Sequence, residues 1–266
     1  MPIVGEAMRA ALLVTILVLT AAGARGGETP CRLERGAVIV PAAFGDIAGD
    51  FLIDPSTPKS ALHVTIAESF GIVTPTARAD LRFASQRLAG LEMSVVNLDA
   101  RARPFVAGLA GVIGADALAG QIVEIDPVPC RVRLTEGARK PWPIRLPLRV
   151  VDGAYAVPAA VSDGVTSRRG WFAVDTASAG VKLADARLTR EPPAGAEPDW
   201  PPARLRALSL GGMLFEQVPA GLMSPAPTEL SGSIGEVIWS RFRLRLDARR
   251  GWLELRPERS RRALRR

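Results

Sequence analysis

The chain has 266 residues, 34 of them Lys or Arg against 27 Asp or Glu, with one histidine and two cysteines. One histidine excludes a multi-histidine metal site, and two cysteines exclude a four-cysteine zinc site or an iron–sulfur cluster within the chain. The positive charge is local, because residues 256–266 hold six arginines and one glutamate, +5 of the net +7, so the body lacks the broad basic surface of a nucleic-acid domain.

Residues 1–24 read as an export signal. Arg9 precedes an apolar run over 10–22, and Ala22-Gly23-Ala24 closes it as a small-x-small cleavage site. That run is shorter than the roughly 18 residues needed to span a bilayer. The expectation is an exported chain, periplasmic or secreted, with no membrane span after cleavage. In an oxidising compartment Cys31 and Cys130 are either bridged or two buried thiols, and the sequence allows both.

Next along the chain come FLIDPST at 51–57, a short helix over 65–70 stopped by Gly71, and turn-rich residues at 73–78. Asp126 closes a further strand, and Lys140-Pro141-Trp142-Pro143 is a natural linker. Beyond it the pattern returns. FAVDTAS at 172–178 repeats FLIDPST, Leu183 repeats Leu62, Gly211 repeats Gly90, and GSIG at 232–235 repeats GVIG at 111–114, all at an offset of 121. Asp247 repeats Asp126 and Leu255 repeats Leu134 at the same offset. Composition alone does not hold register without a gap, so the chain contains two copies of one unit, too few and too long for a solenoid. Each copy reads as β-rich. Phe242, Leu244 and Leu246 alternate with Arg243 and Arg245, the period of a half-buried strand, which predicts outward-facing arginines. Turn-rich residues at 73–78 and 191–202 are placed to overhang a site. The expected organisation is a first lobe over 31–140, a second over 141–256, and a solvated basic tail over 257–266.

A repeated apolar-apolar-Asp motif, followed about sixty residues later by an apolar-Gly pair and a strand ending in Asp, resembles the pepsin-like and retropepsin-like aspartic peptidases. In particular it resembles exported bacterial members that fuse two retropepsin-sized lobes. The resemblance implies an all-β, bilobal acid-protease fold, with two pseudo-two-fold-related β-barrel lobes and a few short helices. It implies Asp54 and Asp175 as a facing pair that shares one proton and holds the attacking water. Thr176 is placed to brace the lobes through its hydroxyl, whereas Pro55 has neither hydroxyl nor N–H. Ser56 and Ala177 stand where the family has glycine. Thr57 and Ser178 keep the hydroxyl that supports the outer carboxylate oxygen, and Gly114 and Gly235 match the loop behind each aspartate. The implied activity is that of an aspartic endopeptidase acting on extended polypeptide, as a monomer without metal or organic cofactor. The alternative is a non-catalytic relative that uses the same cleft to hold a peptide or serves as a structural partner.

Other signals are absorbed by the repeat. Ser178 and Ser233 sit in incomplete G-x-S-x-G strings, both inside it. His63 reads as a strand-end or surface histidine, and Asp126 and Asp247 as turn residues. Tyr155, the one tyrosine, precedes the second motif and leaves a flap tyrosine without counterpart.

Overall fold

The register of the sequence repeat is carried into the sheets. In a computed structural model that describes residues 27–137, 140–188, 203–223 and 228–258, strand Ile47–Ile53 runs parallel to Gly111–Ile113, with Phe51 opposite Gly111 and Ile53 opposite Ile113. Strand Ser167–Val174 runs parallel to Gly232–Ile234, with Phe172 opposite Gly232 and Val174 opposite Ile234. These partners are related by the same 121 residues. Upstream the two copies differ by a turn. Ile39 opposes Leu52, whereas Ala156 opposes Ala173. The second hairpin, Ala154–Ser162 to Ser167–Val174, is longer than Ala37–Phe44 to Ile47–Ile53, and so the sequence register starts only at the second strand of this hairpin in each lobe.

Each lobe is a seven-stranded sheet closed on itself, by Phe44 beside Leu81 in the first and Ala160 beside Ser209 in the second. Strand order is the same in both. A six-stranded sheet joins the lobes, with Ile122–Pro127 antiparallel to Phe242–Asp247 at its centre. Arg245 faces its own repeat image Glu124, while Leu244 faces Ile125, the image of Leu246, and Leu246 faces Val123, the image of Leu244. That is the pairing a two-fold axis between the strands requires. The architecture is the expected all-β, two-lobed one, with short helices at Val64–Ser69, Asp99–Ala102, Ala115–Leu118 and Glu236–Trp239.

The core is made by the inward residues of these strands. Phe51, Phe172, Ile53, Val174 and Leu62 are fully buried, each side chain contributing about 1.5–3 kcal/mol of transfer free energy. The helix starts where His63 accepts from the backbone N–H of Thr65 at 3.4 Å and stops before Gly71, whose φ of +77° suits glycine. It covers Val64–Ser69, close to the expected segment. The strand after it, Thr76–Phe83, begins earlier than the turn-rich composition of 73–78 suggested, because residues 76–78 pair with 92–94. Residues 1–26, 191–202 and 259–266, where the export signal, a loop and the basic tail were expected, lie outside the described residues.

The arginines of Phe242–Asp247 are a correction. Alternation predicts two outward, solvated side chains, yet Arg245 is buried and Arg243 only partly exposed. The linker crosses this face of the central sheet and lays Trp142 over it. Arg245 donates to Glu124 at 2.8 Å, to Glu254 at 3.0 Å and to the carbonyl of Lys140 at 3.0 Å, with its guanidinium 4.1 Å from the Trp142 ring centroid. Its charge is therefore paired and hydrogen-bonded where burial would otherwise be costly. The outer edge of the same sheet is closed by Gly27–Pro30 on Cys130–Thr135, and Cys31 is bridged to Cys130 with Cα atoms 5.0 Å apart.

Candidate active site

Each aspartate ends a buried strand at the point where the chain must turn. The backbone N–H of Asp54 donates to Ile113 at 2.9 Å and that of Asp175 to Ile234 at 3.0 Å. The peptide two residues on then folds back: Ser56 N–H donates to Asp54 Oδ1 and Ala177 N–H to Asp175 Oδ1, both at 3.0 Å. These are Asx-type turns, for which a strand-end Asp followed by small residues is suited. Thr57 donates to Asp54 Oδ2 at 2.6 Å and Ser178 to Asp175 Oδ2 at 2.5 Å. Ser56 also gives its hydroxyl to Asp54 Oδ1 at 2.5 Å, a contact Ala177 cannot make.

Gly114 and Gly235 lie behind these turns, where the backbones approach closely. A β-carbon on Gly114 would sit 2.7 Å from the Thr57 carbonyl oxygen, and one on Gly235 2.2 Å from that of Gly180. Close approach, not a special φ, is the reason for glycine at both positions. The approach lets Ala115 N–H reach Thr57 and Glu236 N–H reach Ser178, each at 2.8 Å, which fixes the loop carrying each aspartate.

Between the lobes the bracing is half complete. Val38 N–H donates to Thr176 at 2.8 Å and Tyr155 N–H to Pro55 at 2.9 Å, so the backbone bonds are reciprocal. The side-chain bond is not. Thr176 Oγ1 donates to the Ile53 carbonyl at 2.5 Å, and Pro55 has nothing to return.

Asp54 and Asp175 are 1% and 3% exposed and line one cleft of about 530 Å³ between the lobes, together with Ser56, Thr57, Ala177 and Ser178. The cleft also contains cations that the sequence reading did not single out. Arg101 forms an ion pair with Asp54 Oδ2 and donates to Thr57 Oγ1 at 2.9 Å. Lys182 donates to Asp175 Oδ2 at 3.1 Å, beside Ser233 at 3.2 Å. Arg101 is held by the helix Asp99–Ala102. The N–H of Asp99 donates to Asn97 at 2.7 Å, and its carboxylate lies 3.1 Å from His63 Nε2. Because His63 Nδ1 accepts from Thr65, Nε2 is the ring nitrogen placed to donate. His63 is thus a buried strand-end residue that anchors the Arg101 helix. Asp126 and Asp247 lie at the ends of strands of the central sheet and not among the cleft residues, and Tyr155 is buried between the lobes.

Lys182 had a faint signal. It is one of three lysines in an arginine-rich chain, follows Asp175 by seven residues, and replaces Ala61 in the repeat. Arg101 had none, since its repeat image is Leu222. Among the described residues no cluster of His, Cys, Asp and Glu is arranged to hold a metal ion, and no helix is long and apolar enough to cross a membrane.

No protein-family model matches the chain, and no curated protein sequence matches it. Among solved structures, it is similar to the aspartic proteinase from Irpex lacteus, at 13% identity and a TM-score of 0.51, over 88% of this chain and 98% of that one. This likeness shows the fold, a pepsin-like two-lobed one.

Proposed function

We propose that the chain is a non-catalytic relative of the aspartic proteases that holds extended polypeptide in the cleft between its lobes. One observation carries this reading: each aspartate has a cation of its own, Arg101 on Asp54 and Lys182 on Asp175. Peptide hydrolysis by two carboxylates depends on two like charges that share a proton around a water. With each charge matched by a guanidinium or an ammonium, the electrostatic reason for sharing is removed. Ser56, Ala177 and the missing hydroxyl at Pro55 support the same conclusion. Peptide would be held by strand-like main-chain hydrogen bonding, with side chains in the cleft setting preference. The leader at 1–24 and the Cys31–Cys130 bridge support an exported, periplasmic or secreted monomer that needs no cofactor.

The test is digestion of casein at acidic pH, with and without a statine-type inhibitor. The reading expects no inhibitable cleavage. Inhibitable cleavage that disappears in Asp175→Asn would replace it with the second reading, a working aspartic endopeptidase. The specific support for that alternative is the retained scaffold: both aspartates keep their backbone bonds and hydroxyl donors, and Thr176 still bonds across the lobes.

A further inference from the structure

The cleft carries one more cation than its carboxylates use. Arg35 lines it together with Phe105 and Pro104. Among the described residues its exposed guanidinium makes no ion pair or hydrogen bond, while Arg101 and Lys182 are committed to the aspartates. The neighbouring acid Glu34 does not answer it, since that carboxylate accepts from the Val106 N–H at 2.9 Å and lies 3.7 Å from Arg32.

Arg35 also sits in an unusual conformation. Arg32–Glu34 and Ala37–Phe44 form a hairpin with Glu34 opposite Ala37, so Arg35 and Gly36 are its two-residue turn, with φ of +48° and +83°. Two positive φ values suit the twist of such hairpins, and the first position ordinarily holds Asn, Asp or Gly. An arginine there is strained, and among the described residues no ion pair or hydrogen bond repays it. Gly36 fixes the turn against the second lobe, for a β-carbon on it would meet Ala179 Cα at 2.5 Å. The turn therefore presents to the cleft, from a rigid mount, a strained arginine that has no ion pair or hydrogen bond among the described residues.

Resting on the peptide-holding reading above, we infer that Arg35 is the anion-reading residue of the cleft, and that the ligand is a peptide carrying a carboxylate beside an apolar residue. The guanidinium fork supplies paired donors for the carboxylate, and half-buried Phe105 with Pro104 supplies the apolar wall. The carboxylate comes from an acidic side chain or from a C-terminus, and the chemistry is the same for both.

The experiment uses three fluorescent Ala/Leu-rich peptides of equal length, read by anisotropy at low and high salt. One contains a central Glu and an amidated end, the second a central Gln and a free C-terminus, the third a central Gln and an amidated end. Wild type should bind at least one carboxylate-bearing peptide about tenfold tighter than the neutral one, with the margin shrinking as salt rises. The arm that gains identifies the source of the carboxylate. Arg35→Gly should erase the preference while melting at or above the wild-type temperature, because glycine relieves the positive φ. Arg35→Glu should reverse it. Persistence of the preference in Arg35→Gly overturns the role of Arg35. Equal binding of all three peptides overturns carboxylate recognition and leaves the peptide-holding reading standing. Binding of none overturns both.

Discussion

In the first lobe the cross-strand pair beside the aspartate is Ala61 and Val112. In the second lobe the same register holds Lys182 and Ser233, and both donate to Asp175. The surroundings follow suit. Ile39, Leu52 and Val112 belong to an apolar cluster beside the first motif, whereas the second has Ala156 and Ala173 in the matching cluster and Ser233 in place of Val112. Small residues leave room for a lysine and a serine. The bulkier cluster leaves none, and the first lobe instead receives its cation from the helix Asp99–Ala102. Two unrelated routes thus place a cation on each Oδ2, beside one hydroxyl in the first lobe and two in the second. The backbone frame is duplicated, while the chemistry on it has been assembled separately in each copy.

The widest difference between the lobes is covalent. The first has the Cys31–Cys130 bridge, 99 residues apart in sequence, and the repeat images of these cysteines are Asp152 and Gly251. Replacing both cysteines by serine should cost about 4–5 kcal/mol in the chain-entropy view. Hydrogen exchange should locate the loss first in the edge strand Gly27–Pro30 and its neighbour Cys130–Thr135. Equal loss of protection in both lobes would mean that they unfold as one unit.

The supporting glycines come next. Gly235→Ala puts a β-carbon 2.2 Å from one carbonyl oxygen and 2.6 Å from another, whereas the closest contact in Gly114→Ala is 2.7 Å. Denaturant unfolding should show a loss of about 3 kcal/mol for the first and about 1–2 kcal/mol for the second. A reversed order would show that the second loop yields more easily than the geometry implies.

Tyr155 distinguishes the copies at alkaline pH. Its counterpart in the first lobe is Val38, and only the tyrosine sends a hydroxyl across, to the Ala115 carbonyl at 3.2 Å. Burial, helped by the charge of Asp116, pushes the phenol up to about 12. A phenol that holds its proton more tightly when folded contributes stability in full below its unfolded value near 10, and loses it as pH rises from about 10 to about 12. The loss should be about 2–3 kcal/mol and should be absent from Tyr155→Phe. Tyrosinate absorbance reads this group alone, as the chain has one tyrosine. Ionisation near 10 in the folded protein would contradict the burial argument.

Smallest is the one-way brace. Thr176→Val leaves the Ile53 carbonyl without its donor and should cost about 1–2 kcal/mol, measured by chemical unfolding. Pro55→Thr would supply the reciprocal hydroxyl and should gain less than about 1 kcal/mol, since removing proline also frees the unfolded chain. A gain as large as the Thr176 loss would mean that the first lobe is strained by Pro55.

How much of this could be read beforehand follows from the same contrast. The strands and both aspartate turns were legible because the repeat preserves backbone register, and register demands the same small, apolar and glycine positions in each copy. The first hairpins were hidden from the repeat by their different lengths. The burial of Arg245 was hidden because alternation reports the two faces of one sheet, whereas the cover on this face is Trp142 from the linker. Arg101 was hidden most fully. It reaches Asp54 from 47 residues away through a helix of one turn, and nothing in its neighbourhood marks it.

The most direct test of the cation-matched pair is calorimetric titration with two peptide analogues that differ only in the statine hydroxyl. In a working dyad that hydroxyl mimics the transition state, and such mimics gain a hundredfold or more in affinity. With Arg101 on Asp54 and Lys182 on Asp175, the two analogues should bind with the same affinity. A hundredfold preference for the hydroxyl, lost in Asp54→Asn and Asp175→Asn, would contradict the account and restore the pair as a catalytic one.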